Sequence, residues 1–398
     1  QIQLHSRPYP LGATVSKEGC NFSIHAPICK DIQLALFAED GSYELHDLSD
    51  ECAGIRHTFI PHIKSGQKYG YVVTHQDQPL LISDPYAKAI DKRLHYQPPF
   101  SPIRSFDMPK CVVIEDNFDW QNSDHPRIPR EEMVLFETHV KGLTQQHPTI
   151  ASDTRGRYLG LSSPEMLAFY KQQNINTLQL LPVAACMHEP HLLNMDKVNY
   201  WGYNPYLFMV PDPRYAEIDA VIELKTTIRE LHKNGIEVIL DVVYNHTAEG
   251  GEGPTIFNLK ALDPHFYIKH DQRFANFTGC GNTLDMTYQP ALNLVMDTLR
   301  YWVSEFKVDG FRFDLAATLG RQDSDYNPEA AFFKAVAQDP ILRETKLIAE
   351  PWDIGPNGYQ VGNFPFGWNE CNDKLRDISR SFWRGDQGYL KEFATRLM

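Results

Sequence analysis

At 398 residues, with 51 Asp and Glu against 38 Lys and Arg and a formal charge of −13, the chain is long enough for two or three domains. It carries no Lys/Arg-rich run of the kind that releases counterions from a phosphate backbone, so no nucleic-acid partner is expected. Its 24 Gly, 27 Pro and 42% hydrophobic content are ordinary for a globular protein and exclude collagen-like, low-complexity and disordered classes.

Residues 1 to 115 read as a small β-sandwich. Short alternating runs, Cys20 to His25, Ile32 to Phe37 and Tyr69 to Thr74, are separated by turn pairs such as Asp40-Gly41 and Ser65-Gly66. A polar, Pro-bearing linker follows over 116–130, and a second domain is expected over 131–398. There, strand-like runs alternate with helical stretches. The expected strands are Met133 to Thr138, Thr177 to Leu181, Ile236 to Val243, Val308 to Phe313 and Lys346 to Glu350. The expected helices lie around Pro164 to Gln173, Ile218 to Asn234, Ala291 to Phe306 and Glu329 to Ala337. Such alternation predicts a parallel sheet. The stretches Pro182 to Arg214 and Tyr244 to Pro290 read as long loops, and beyond Trp352 only loop and helical character is expected. No apolar stretch reaches the roughly 18 residues of a membrane span, so no membrane association is expected. The seven cysteines are far apart with no CxxC pair, which fits reduced thiols in the cytoplasm.

Three acidic residues close successive strands: Asp241 in ILDVVYNHT, Asp314 in VDGFRFDLA and Glu350 in LIAEPWD. The carboxyl ends of parallel strands are where reacting groups gather, because the loops there converge over one crevice. Asp314 and Glu350 are one strand and one crossover apart, so they should stand on neighbouring strands. Two carboxylates about 5 to 5.5 Å apart suit retaining glycoside hydrolysis, one as nucleophile and the other as general acid. Arg312, two residues before Asp314 and on the same strand face, can hold it ionised. Each acid also has a plainer reading as a helix cap or loop anchor. Asn245 and His246 could simply order their loop, and Trp352 could be core. The rings Tyr200, Trp201, Tyr203 and Tyr206 fit a cleft for a neutral sugar, whose C–H faces lie against aromatic rings, or a core cluster.

These strings resemble those of the α-amylase family of glycoside hydrolases: DVVYNHT its first region, GFRFDLA its second and AEPWD its third. With the segments WGYNP (Trp201 to Pro205), FETHVKGLT (Phe136 to Thr144) and PLGAT (Pro10 to Thr14), the whole chain is similar to isoamylase-type bacterial glycogen debranching enzymes. The resemblance implies an N-terminal β-sandwich of the glycogen-binding type followed by a (β/α)8-type TIM barrel. It implies Asp314 as nucleophile, Glu350 as general acid/base and Arg312 as the guanidinium holding the nucleophile. Asp241 and His246 would bind the sugar at the cleavage subsite and Tyr203 would stack on it, with Asn245 and Trp352 beside them. Glycogen or a related branched α-glucan is the implied substrate, cut at α-1,6 linkages with retention. No cofactor is expected, and no compact acidic loop suggests a metal.

The sequence departs from the family in one respect. A His-Asp pair that supplies the family's third catalytic carboxylate does not occur after Glu350. Only five strands are expected in 131–398, against the eight of a full barrel. The chain, which opens on Gln rather than Met, is thus expected to be the front part of a longer enzyme, its barrel incomplete at about five of eight units, and to hydrolyse little by itself. Open alternatives are another member of the family, such as a branching enzyme or a trehalose-releasing hydrolase, and a glucan-binding fragment without catalysis.

Overall fold

The computed structural model describes residues 5–93, 105–251 and 255–398. Its N-terminal part is two antiparallel sheets. One holds β1 (Gly12–Val15), β2 (Gly19–His25), β5 (Asp50–Cys52) and β6 (Ile55–Pro61) in the order β1-β2-β6-β5; the other holds β3 (Gln33–Phe37), β4 (Tyr43–Asp47), β7 (Lys68–His75) and β8 (Gln78–Ile82) in the order β4-β3-β7-β8, with β9 (Cys111–Val112) also pairing β7. Phe22, Leu34, Tyr69 and Tyr71 are buried between them, and the Phe22 and Tyr69 rings meet edge to face at 5.2 Å, a favoured aromatic geometry. This core runs on into the second part of the molecule, taking in Ala185, Met187, Tyr206, Leu207 and Leu262. Polar contacts cross the same seam, among them Tyr86 Oη donating to Asp297 Oδ2 at 2.8 Å and Cys29 Sγ to the Ala261 carbonyl at 3.1 Å.

The second part is a curled parallel sheet, an incomplete TIM barrel. Its strands are β10 (Leu135–Thr138), β11 (Thr177–Leu180), β14 (Glu237–Val242), β15 (Gly310–Phe313), β16 (Lys346–Ala349) and β17 (Trp368–Glu370), hydrogen-bonded in that order. The helices between them include α1 (Pro164–Gln172), α2 (Ala220–Lys233), α3 (Gln289–Phe306) and α4 (Ala331–Gln338), followed by α5 (Asp373–Arg384) and α6 (Leu390–Leu397). Alternation along the strands separates two faces. Leu178, Leu180, Val238, Leu240, Phe311 and Phe313 join the apolar core with the helices, centred on Trp302 and Phe306. On the opposite, concave face stand Glu237, Asp241, Arg312 and Lys346, of which Glu237 and Asp241 are each 2% exposed and Glu237 is ion-paired with Lys346.

Two sequence expectations are corrected. The sheet has six strands, not five, because Trp368–Glu370 pairs in parallel with β16. The added strand is pinned from the helical side by Trp368, whose ring lies 5.1 Å from Phe313 and 5.6 Å from Phe333. The supposed loop Pro182 to Arg214 contains an antiparallel hairpin, β12 (Ala184–Cys186) with β13 (Pro205–Pro211). Every residue of β13 is buried, so packing overrides the two prolines that bracket it.

Residues 116–130 run along the barrel's N-terminal end. His125 Nδ1 is 2.7 Å from Asp309 Oδ1, Lys307 Nζ donates to the Ser123 carbonyl at 2.7 Å, and the Ile128 N–H donates to Glu237 Oε1 at 2.9 Å.

Candidate active site

The register decides which side chains meet. Asp241 pairs with Arg312 across β14 and β15, and Phe313 pairs with Ala349 across β15 and β16, so Asp314 and Glu350 leave adjacent strands at one level. The ladder continues through them: the Asp314 N–H donates to the Val242 carbonyl and the Glu350 N–H to the Phe313 carbonyl, both at 3.0 Å. Asp241 belongs to the strand itself and lies one layer deeper.

Arg312 joins all three acids. Its Nη1 is 3.2 and 3.3 Å from the two Asp241 oxygens and 3.5 Å from Asp314 Oδ1, while its Nη2 is 3.5 Å from Glu350 Oε2. The expectation that Arg312 serves Asp314 is thereby revised: its shortest contacts are with Asp241, and it bridges Asp314 to Glu350. The contacts to Asp314 and Glu350, each at 3.5 Å from a nitrogen of the same guanidinium, bring the two carboxylates to one site.

Each acid is further fixed. Asn245, fully buried, donates from Nδ2 to both the carbonyl and Oδ2 of Asp314 at 2.9 Å. Glu350 Oε1 accepts from Trp352 Nε1 at 2.9 Å, and its Oε2 accepts from the Leu315 N–H at 2.8 Å. That N–H is aimed by a left-handed backbone at Leu315, φ 41°, an uncommon conformation for a non-glycine residue. Tyr203 Oη donates to Asp241 Oδ2 at 2.5 Å. Both nitrogens of His246 face the protein, Nδ1 toward Asn245 Oδ1 at 2.5 Å and Nε2 toward the Tyr203 carbonyl at 3.0 Å. Burial pushes His246 down to about 4, opposed by its hydrogen bond to the Tyr203 carbonyl. All eight residues singled out from the sequence thus converge, with His246 and Asn245 behind the carboxylates rather than in front of them.

Of the other rings, Tyr206 is buried in β13 and Tyr200 stacks on His139 at 4.0 Å. The sequence reading missed two supports. One is the Leu315 N–H, for which only the position after Asp314 gives a signal. The other is the buried clamp behind the Glu350 loop, where Arg321 grips Asp353 through Nε at 2.7 Å and Nη2 at 2.6 Å. Elsewhere among the described residues, three residues of metal-ligating type converge only at His125, His232 and Asp309, at the opposite end of the sheet, where the carboxylate hydrogen-bonds both histidines.

Three carboxylates around one guanidinium leave an excess of negative charge. Burial first, then the charges of Asp241 and Glu350, raise the Asp314 carboxyl well above the usual carboxylate range, against the pull of Arg312 and the Asn245 amide. Burial likewise pushes Asp241 up to about 7, with Arg312 and Tyr203 opposing. A group that holds a proton in the folded chain but loses it near pH 4 when unfolded costs stability as pH rises between those values. The thermal midpoint is therefore expected to fall as pH climbs from about 4 to about 7. In Asp241→Asn that slope should flatten and the midpoint near pH 7 should exceed the parent's, as measured by circular dichroism melting across pH.

The fold is thus a β-sandwich joined to an incomplete TIM barrel, with acids on adjacent strand ends around one arginine. Comparison with known proteins agrees. Residues 10–87 match the carbohydrate-binding module 48 family, the isoamylase N-terminal domain. The chain is 43% identical over 423 residues to the glycogen operon protein GlgX homolog of Mycobacterium tuberculosis, covering 98% of this chain and 58% of that protein. It is 41% identical over 411 residues to the glycogen debranching enzyme of Erwinia tasmaniensis, covering 98% and 62%. Among solved structures, pullulanase from Paenibacillus barengoltzii in complex with maltohexaose and alpha-cyclodextrin superposes with a TM-score of 0.77 at 25% identity, covering 93% of this chain and 58% of that one. Pullulanase from Bacillus acidopullulyticus gives 0.74 at 26%, covering 92% and 46%. The chain is thus similar over nearly its whole length to proteins named for glycogen debranching, and in fold to pullulanases. It spans about three-fifths of the length of the curated relatives it matches.

Proposed function

We propose that the chain carries the catalytic pair of a glycogen debranching hydrolase, cutting α-1,6 branch linkages of glycogen and related glucans with retention, in the cytoplasm. Within it, 1–115 forms the glucan-binding-type sandwich, 116–130 a linker along the sheet's underside and 131–398 the catalytic part. The observation that carries this reading is the shared guanidinium: Arg312 lies 3.5 Å from Asp314 and 3.5 Å from Glu350, at matched ends of neighbouring strands.

Asp314 would attack the anomeric carbon from one side while Glu350 protonates the departing oxygen from the other. The C1–O6 bond breaks as the C1–Asp314 bond forms, and water, deprotonated by Glu350, then releases the sugar. Trp352 and the Leu315 N–H hold Glu350 in place, and Asn245 does the same for Asp314. The positive charge developing on the sugar favours ionised Asp314 and Asp241, offsetting the burial that raises their pKa values in the free site. Tyr203, anchored through its hydroxyl on Asp241, would offer its ring to the same sugar.

Incubating glycogen with stoichiometric protein and following iodine staining tests the reading. Staining should rise as linear chains are released; falling staining would indicate branch formation, and staining that rises equally with Glu350→Gln would contradict the assignment.

A further inference from the structure

Outside the catalytic cleft the most unusual feature of this acidic chain is a basic cavity of about 260 Å³ beside the end of β10. Five cations line it, Arg93, Lys141, Arg155, Arg157 and Arg214, and none of its lining residues is acidic. Of the acids nearby, Glu217 pairs with Arg157, and Asp212 Oδ2 lies 3.4 Å from Arg214 Nε. Among the described residues, Arg93, Lys141 and Arg155 have no carboxylate partner.

Arg214 is the anchor. Its side chain is 8% exposed, and Nη1 donates to the Asn199 carbonyl at 2.9 Å, but among the described residues Nη2 is buried without a hydrogen-bond partner. A buried guanidinium edge left open costs free energy unless an acceptor fills it. The cavity's histidines do not add to the charge. Burial, then the nearby charges of Arg214 and Arg93, pushes His188 down to about 4, and burial likewise lowers His139.

The remaining wall is aromatic. Tyr200 is stacked on His139 at 4.0 Å and 10° yet is 45% exposed, which leaves ring surface for the C–H face of a sugar. The volume lies just under the ~300 Å³ at which small-molecule sites begin, too large for a lone phosphate and suited to one phosphorylated hexose.

We propose that this cavity is a binding site for a sugar phosphate monoester, the phosphate held by Arg214 and the surrounding cations and the sugar lying against Tyr200. The phosphate could be borne by a free hexose phosphate or by a phosphorylated glucose within a glucan chain. The site is independent of the catalytic reading: loss of the Asp314–Glu350 assignment would leave it standing.

Calorimetric titration of the 398-residue chain with glucose 6-phosphate, glucose and a phosphorylated maltooligosaccharide tests it. Glucose 6-phosphate should bind saturably and glucose at the same concentration should not, with affinity falling as salt screens the cations. The exposed pair Arg93→Glu and Lys141→Glu should weaken binding at least tenfold without moving the melting temperature. Arg214→Lys, which keeps the charge but loses the planar fork, should weaken it too. If the phosphorylated oligosaccharide binds tighter than glucose 6-phosphate, the polymer is the source; equal affinity assigns the free sugar phosphate. Absence of saturable binding by both phosphorylated ligands, or binding unchanged in R93E/K141E and in R214K, would overturn the proposal.

Discussion

Glu350→Gln is expected to lower hydrolysis of an α-1,6-linked glucan by about 10² to 10⁴-fold, the span associated with removing a positioned general acid. The amide keeps one acceptor oxygen, enough for either Trp352 Nε1 or the Leu315 N–H, so the fold should be kept while the proton is lost. Asp314→Asn should cost at least as much, because no bond to the anomeric carbon can then form. The two defects should respond differently to the substrate. A glycosyl fluoride, whose leaving group needs no protonation, should recover most of the activity of Glu350→Gln and none of that of Asp314→Asn. Initial rates on both substrates, for the parent and the two variants, separate the roles; equal recovery in the two variants would remove the distinction between nucleophile and acid. These losses should appear in rate and not in stability.

The largest expected effect on stability lies at the other end of the sheet. Asp309 is 8% exposed and accepts from three directions: His125 Nδ1 at 2.7 Å, His232 Nε2 at 2.8 Å and the Val238 N–H at 2.7 Å. Burial opposes its charge, but the hydrogen bonds from the two histidines hold its carboxyl below the usual range. It ties the linker, α2 and β14 to the strand that carries Arg312 and Asp314. Asp309→Ala leaves three donors facing a cavity, and removing one partner from a buried charged network typically costs about 3 to 5 kcal/mol. Denaturant titration of the variant should show an unfolding free energy lowered by that amount, whereas Asp309→Asn, which keeps one acceptor oxygen, should lose less. A loss under 1 kcal/mol for Asp309→Ala would mean the linker is not fastened there. Stability should also depend on acidity, because a carboxyl with a depressed folded pKa contributes above its unfolded value and loses that contribution as pH falls.

Much of the site was legible in the sequence, for a definite reason. Asp314 and Glu350 each follow a short apolar run at the spacing of one β/α unit, so the parallel sheet alone predicts that they emerge side by side. What Arg312 touches was not legible, because Asp241 lies across the sheet in a register that only folding sets. The sixth strand escaped notice because Trp368–Glu370 has a single apolar residue, and its place comes from the Trp368 ring packing on Phe313 and Phe333. β13 was hidden by the prolines at its ends. The basic cavity could not be read at all: Arg93, Lys141, Arg155 and Arg214 come from separate segments, and nothing in their local sequence distinguishes them from solvated surface cations.

Covalent trapping tests the central claim most directly. When the chain is incubated with a ring-fluorinated α-maltosyl fluoride, Asp314 should attack C1 of the reagent, forming a C1–O bond as the C1–F bond breaks, releasing fluoride and leaving a glycosyl ester that is slow to hydrolyse. Mass spectrometry of the digested protein should then find one glycosyl adduct on the peptide containing Asp314, retained in Glu350→Gln and missing from Asp314→Asn. An adduct on another residue, or equal labelling of Asp314→Asn, would contradict the account.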